Sequence, residues 1–366
     1  MNCQPTVELL KKGLADGLFP GAAYAVGRGR EVFVSGVMGD RAVNPQRETA
    51  DRETLYDLAS LSKLVSTSMV ALRLIEDGRL LLADPLSRYF TAEETDGAPE
   101  GRTAATVFHL MTHTSGLTPH IGLWRKLQTP EEGEVIRTIM TSAPLNAPGG
   151  QVHYSCMGYI LLKTVLERAT GEKLDALAQK LVFEPLGMHH TCYNPTSENV
   201  VTTELSPVWG RYVKGHVHDE NAYFLGGVSG NAGVFSPLDD MIRFAVMCST
   251  RGELPGAAFG TGEGRFLARR TFEAAVTDYT AGMNESRGLG FQLKPPLPAL
   301  SAAGELMSAG SYGHNGFTGT SLYVDGETGV WGVLLTNAVH FGRGRTEFFR
   351  MRRAFYNTVA AADRGE

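Results

Sequence analysis

Strand patterns lie at both ends of this chain and helical patterns fill its middle, an order that few architectures accommodate. Near the N-terminus, residues 22–26 and 31–37 read as two strands joined by the turn Gly27-Arg28-Gly29-Arg30, a hairpin signal. A helix over 5–17, ending near Gly17, precedes them. Near the other end, residues 312–314, 320–324 and 332–335 read as strands separated by turn residues. A closing helix over 347–361 is expected to carry Arg350, Arg352 and Arg353 on its polar side. One antiparallel sheet built from both termini (about residues 20–40 and 285–340) is the expectation, with a helical region inserted between its parts.

That middle region is legible by period. Leu61, Leu64, Val65, Met69, Leu72 and Ile75 follow the i, i+3, i+4 rule, predicting a helix from about Ser60 to Gly78. Glycine at its end accepts the left-handed cap conformation. A short helix starts at Asp84-Pro85, and others are expected over 106–112, 131–141, 159–170 and 173–183. The fold class is therefore α/β (α+β), with an antiparallel sheet flanked by helices. Residues 1–59 and 205–366 are expected to form a discontinuous sheet region, and 60–204 a mainly helical one. A length of 366 residues, 43% of them hydrophobic, suffices for two such regions.

Composition excludes several functions. The net charge of −5 offers no basic face to nucleic acid. The four cysteines (Cys3, Cys156, Cys192 and Cys248) are far apart and form no CxxC or zinc spacing. No H-E-x-x-H occurs, and His189-His190 and His216-x-His218 have no third ligand to complete a metal site. Gly260-Thr261-Gly262-Glu263-Gly264 lacks the lysine of a phosphate loop and reads as a surface loop. The first residues form an amphipathic pattern rather than a signal peptide, and no apolar run approaches the ~20 residues of a membrane span. The expectation is a cytoplasmic protein that needs neither metal nor organic cofactor.

Chemistry concentrates in a few segments. Ser60-Leu61-Ser62-Lys63 puts a hydroxyl and an ammonium one turn apart on one helix face. A serine hydroxyl is a weak nucleophile that needs a base beside it, and a lysine whose pKa is lowered by burial or a neighbouring cation can serve. No G-x-S-x-G is present, which removes the nucleophile elbow of the α/β-hydrolases. Tyr154, in His153-Tyr154-Ser155-Cys156 before a helix, can act as a general base as phenolate or through a proton shared with Lys63. Taken alone it reads as an ordinary buried tyrosine, and Cys156 as a small packing residue. In Tyr312-Gly313-His314-Asn315-Gly316-Phe317, His314 is placed to donate to a substrate carbonyl or carboxylate. The amides of Ser60 and Phe317 are placed to form an oxyanion hole. The small-residue loop from Gly226 to Gly233 serves equally well as a ligand approach or as a tight connection.

Taken in order, these segments resemble the serine β-lactamase and penicillin-binding-protein superfamily, on the class C and DD-peptidase branch that includes many esterases. The resemblance begins at Phe19-Pro20-Gly21-Ala22 and passes through Asp84-Pro85-Leu86 and His109-Leu110-Met111-Thr112-His113-Thr114-Ser115-Gly116-Leu117. It continues through Pro185-Leu186-Gly187-Met188, Val217-His218-Asp219-Glu220-Asn221-Ala222 and Gly226 to Gly233. It implies that Ser60 is acylated, that Lys63 is its proton partner, and that Tyr154 is the tyrosine of a Y-x-N motif. His314-Asn315-Gly316 stands where many members have Lys-Thr-Gly, which implies substrate contacts there. Cys156 replaces the asparagine of Y-x-N, and a thiol cannot supply its amide. Histidine in place of lysine removes a fixed charge for a substrate carboxylate near neutral pH.

Both departures weaken the case for β-lactam or D-Ala-D-Ala recognition and are compatible with hydrolysis of a neutral ester. The expected function is hydrolysis of a small carboxylic ester by an acyl-enzyme on Ser60, with a β-lactamase or D-alanyl-D-alanine carboxypeptidase as the alternative. A non-catalytic binding protein on the same fold is a further alternative. The expected partner is a small-molecule ester or amide, walled by loops near 118–150 and 205–225.

Overall fold

Side chains that alternate between two buried faces decide how the central sheet is covered. The computed structural model describes residues 2–299 and 301–362. Seven strands form the sheet: β1 (Gly21–Arg28), β2 (Glu31–Ala42), β3 (Glu48–Thr49), β4 (Gln292–Leu293), β5 (Tyr312–Asn315), β6 (Ser321–Val324) and β7 (Val330–Thr336). Their order is β3-β2-β1-β7-β6-β5-β4, and every neighbouring pair is antiparallel. The termini meet where β1 pairs with β7, with Ala22 opposite Thr336 and Arg28 opposite Val330. The sheet expected from both ends of the chain is present.

Side chains at i and i+2 share a face. Ala22, Tyr24, Val26, Tyr323, Val330 and Leu334 pack with Leu10 of helix α1 (Gln4–Ala15) and with the C-terminal helix. Ala23, Ala25, Leu322, Val324, Trp331 and Val333 face the helical body instead. That body includes α2 (Met69–Glu76), α3 (Cys156–Thr170) and α4 (Leu238–Ser249); α5 (Thr346–Ala362) closes the chain over the first face. At Gly332 a Cβ would sit 3.1 Å from Phe355 and Val359, so glycine lets α5 approach the sheet closely.

Several boundaries depart from expectation for physical reasons. β2 runs on to Ala42 through Gly36 and Gly39, which break its apolar pattern. Gly36 lies under the Tyr24 ring, where a Cβ would meet the phenol oxygen at 2.7 Å. α4 is not among the expected elements. Its charged residues Asp239, Asp240 and Arg243 are confined to the first two turns, and Phe244 to Cys248 is an unbroken buried run. The helix expected over 60–78 is composite: a 3₁₀ turn over Ala59–Leu61, a π-helical stretch over Lys63–Ser68, then α2. Arg352 is a correction. It is 7% exposed, and its guanidinium lies 5.8 Å and 5.3 Å from the Phe348 and Phe349 ring centroids, away from the polar side.

Candidate active site

Ser60 is set by the segment just before it. The short strand Tyr56–Asp57 pairs with Val234–Ser236. The buried Asp57 carboxylate accepts from the amides of Ala59 (2.8 Å) and His218 (2.7 Å). Burial raises its pKa, and those amides work against the rise. Ala59 has φ +46°, a left-handed conformation that costs a non-glycine residue about 1–2 kcal/mol. Backbone strain of this kind concentrates at functional sites.

One turn on, the fully buried Lys63 ammonium makes three contacts. Nζ lies 3.1 Å from Ser60 Oγ, 2.9 Å from the Asn231 carbonyl oxygen and 3.5 Å from Cys156 Sγ. Burial pushes its pKa down, as the sequence led us to expect. Its neighbours Cys156 and Tyr154 push it up, and the balance lies above the ordinary lysine value. Lys63 also opens the π-helical stretch, a distortion frequent at functional sites.

Tyr154 and Cys156 arrive together at the start of α3. Ser155 caps that helix by accepting from the Gly158 amide at 3.1 Å, and its own hydroxyl donates to the Thr118 carbonyl at 2.8 Å. The Ser155 amide donates to His113 Nδ1 at 3.0 Å. The neutral His113 ring therefore carries its proton on Nε2, an assignment made from the bonding. That ring lies 4.6 Å from the Tyr154 ring and 5.0 Å from Tyr159, centroid to centroid. Lys63 Nζ is 4.9 Å and the Arg287 guanidinium 5.2 Å from the Tyr154 centroid. Tyr154 Oη is buried with no hydrogen-bond partner. Burial raises the Cys156 thiol above its ordinary 9.0, although Lys63 opposes the rise, so the thiol is neutral near pH 7.

The opposing wall is β5 and the turn after it. His314 is 3% exposed, its ring 5.9 Å from that of Tyr154. His314 Nδ1 pairs with the Asn315 carbonyl at 2.8 Å. A carbonyl only accepts, so Nδ1 carries the proton and the buried, unpartnered Nε2 offers a lone pair. The expected donor is thus an acceptor in this arrangement. Burial, with Arg287 and Lys63 nearby, holds its pKa well below 6.5. Asn315 is a second correction. Its side chain lies on the opposite face of β5 and donates to Gln292 Oε1 (3.0 Å) and Tyr323 Oη (3.2 Å), so it does not meet the Ser60 cluster.

The turn carrying the Phe317 amide is clamped to the residues before Ser60. Thr318 Oγ1 donates to the Asp57 carbonyl at 2.7 Å, and Thr320 Oγ1 to the Leu58 carbonyl at 3.0 Å. Arg345 donates to the Phe317 carbonyl, and the Phe317 ring stacks on His218. At Gly316 a Cβ would come 2.3 Å from Leu58 O and 2.2 Å from Thr320 Oγ1. Gly316→Ala is therefore expected to destabilise the protein by about 1–3 kcal/mol through overpacking. It should also slow acylation at Ser60 about tenfold or more by displacing the Phe317 amide. Thermal melting and the labelling rate with a fluorophosphonate read these two effects separately.

His113 and His314 have pKa values held well below 6.5, mainly by burial. The unfolded chain binds protons at both rings below pH 6.5 while the folded protein does not. Their contribution to stability is therefore fully present above 6.5 and is lost as pH falls toward the folded values. Melting temperature should drop from pH 7 to pH 5, and His314→Asn should flatten that slope.

Ser60, Lys63, Tyr154 and Cys156 thus converge, with His314 on the facing wall. Sequence reasoning missed Asp57, Arg287, Asn231 and the two threonine clamps, and it gave His113 no role of its own. For His113 the available signal was the string His113-Thr114-Ser115-Gly116. Among the described residues, no group of three or more His, Cys, Asp or Glu is arranged to hold a metal ion. No described helix is long and apolar enough to cross a membrane.

Comparison with known proteins places these features in context. The family model described as Beta-lactamase matches residues 7–354. A putative D-alanyl-D-alanine carboxypeptidase of Escherichia coli K12 is 29% identical over 78% of this chain and 70% of its own length. An N-acetylmuramyl-L-alanine amidase of Bacillus subtilis is 27% identical over 91% of this chain and 80% of its own. Among solved structures, EstCE1, a hydrolase with promiscuous acyltransferase activity, is similar with a TM-score of 0.75. It is 22% identical, with 98% of both chains covered. A class C β-lactamase gives 0.76 at 18% identity, covering 100% of this chain and 97% of that one. At these identities the two structures speak for the fold alone.

Proposed function

The chain belongs to the Beta-lactamase family, and within this family of serine hydrolases we propose that it cleaves a small carboxylic ester through an acyl-enzyme on Ser60. Ser60 Oγ attacks the carbonyl, and its proton passes to the Lys63–Tyr154 pair in its deprotonated form. The Ser60 and Phe317 amides hold the oxyanion, and the alcohol leaves with the proton returned by the pair. Water repeats the sequence to release the acid.

The observation that carries the preference for an ester is the state of His314. It is buried and neutral, and its free Nε2 lone pair repels rather than binds a carboxylate at that point. Cys156 adds to this, since its thiol offers no amide to an acyl-amide substrate. One observation favours the second reading, a carboxylate-bearing substrate such as a β-lactam or a D-alanyl peptide. Arg345, mostly buried beside Phe317, keeps Nε and Nη1 unpartnered. The curated relatives named as putative carboxypeptidases support it too.

The ratio of kcat/KM for a short-chain p-nitrophenyl ester to that for nitrocefin separates the two. A large ratio, lost in Ser60→Ala, supports the esterase. A ratio near or below one, or D-alanine release from a D-alanyl-D-alanine peptide at a rate exceeding that of ester cleavage, overturns it.

A further inference from the structure

Asn231 lies against Lys63, the neighbour of Ser60. We propose that Asn231 is a positioning residue for acylation: its backbone carbonyl anchors Lys63, and its side-chain amide supplies the N–H donor that Cys156 does not. The inference rests on the Ser60 acyl-enzyme reading and deepens it.

The loop that carries Asn231 is fixed from several sides. Thr67 Oγ1 donates to the Gly230 carbonyl at 2.8 Å. At Gly230 a Cβ would come 2.0 Å from the Tyr159 carbonyl, so the loop lies directly against α3. Just beyond, the Val234 amide donates to Ser62 Oγ at 3.1 Å, and the Leu58 amide donates to the Val234 carbonyl at 2.9 Å. Asn231 is thus tied to the segments on both sides of Ser60.

Its two ends have distinct partners. The Lys63 ammonium donates to the Asn231 backbone oxygen at 2.9 Å. Ser229 Oγ donates to Asn231 Oδ1 at 2.7 Å, which fixes the amide orientation and leaves Nδ2 as the free end. Nδ2 is buried without a hydrogen-bond partner, on a residue 1% exposed. The Asn231 side chain sits near enough to Cys156 to act on its thiol as a hydrogen-bonding group, opposing the rise that burial causes, so that end faces the Lys63–Cys156 contact. A buried N–H without an acceptor is rare and costly in a resting protein. An acceptor arises here when Ser60 gives up its proton and negative charge builds on the oxygens around Lys63. The amide is therefore expected to favour the acylation transition state over the resting state, changing kcat more than KM.

Asn231→Ala keeps the backbone carbonyl and removes only the amide, and Asn231→Asp keeps the shape without the donor. Both are compared with wild type for fluorophosphonate acylation and for p-nitrophenyl butyrate turnover, with melting curves recorded alongside. The expected result is a loss of about 10- to 100-fold in acylation rate and kcat with KM little changed. Adding Cys156→Asn to Asn231→Ala should recover about tenfold or more, because it returns an amide to the same centre. If Asn231→Ala does not fold, Asn231→Asp carries the comparison. Wild-type rates in the folded variants, or no recovery with Cys156→Asn, overturn the role of Asn231 while leaving Ser60 in place. Absence of any Ser60-dependent labelling in the wild type overturns the acyl-enzyme reading and this inference together.

Discussion

Ser60→Ala should abolish ester turnover, lowering kcat on the order of 10⁴-fold or more, because no other group can take up the covalent step. The competing nucleophile is Cys156, whose Sγ shares the Lys63 ammonium with Ser60 Oγ. Burial keeps that thiol protonated, and a neutral thiol attacks poorly. The substitution removes one hydroxyl, and Lys63 keeps its bond to the Asn231 carbonyl. The melting temperature should accordingly change little. Loss of activity with an unchanged melting curve distinguishes a chemical role from a structural one, and turnover retained within tenfold of wild type would reject Ser60 as the nucleophile.

Lys63→Met is expected to lower kcat by about 10²- to 10⁴-fold, the usual scale for a lost proton-transfer group. Its signature lies in the pH profile. The Lys63 pKa balance lies above the ordinary lysine value, so its deprotonated fraction grows with pH through neutrality. The wild-type kcat/KM for a neutral ester should climb from pH 6 to pH 9, and the residual activity of Lys63→Met should lose that climb. The methionine leaves the Asn231 carbonyl without its donor, which also predicts a loss of stability of about 1–3 kcal/mol. An identical pH slope in the two proteins would show that Lys63 does not carry the titrating step.

The parts of the molecule that were legible in the sequence depend on local spacing. Ser60 and Lys63 meet because one helical turn brings them together whatever surrounds them. The sheet was legible because Leu322, Val324, Val333 and Leu335 alternate with residues facing the other side. α4 was not, because its charged residues are confined to the first two turns and Phe244 to Cys248 is an unbroken buried run. Arg352 was misplaced because a charged residue on a terminal helix reads as exposed, whereas the Phe348 and Phe349 rings sheathe it. His314 and Asn315 were read as a unit, but adjacent residues of a strand face opposite ways, and only His314 meets Tyr154. The tautomer of His314 depends on a carbonyl one residue away, which residue types alone do not reveal. Asn231 was hidden for a different reason. Its role arises from the long-range approach of a small-residue loop to Lys63, 168 positions earlier in the chain.

The acyl-enzyme itself is the most direct test of the account. The protein is treated with a fluorophosphonate, digested, and the modified residue located by tandem mass spectrometry. A single stoichiometric adduct on Ser60 is expected, absent from Ser60→Ala and formed more slowly by Lys63→Met. An adduct on Cys156, or labelling that persists in Ser60→Ala, would contradict it.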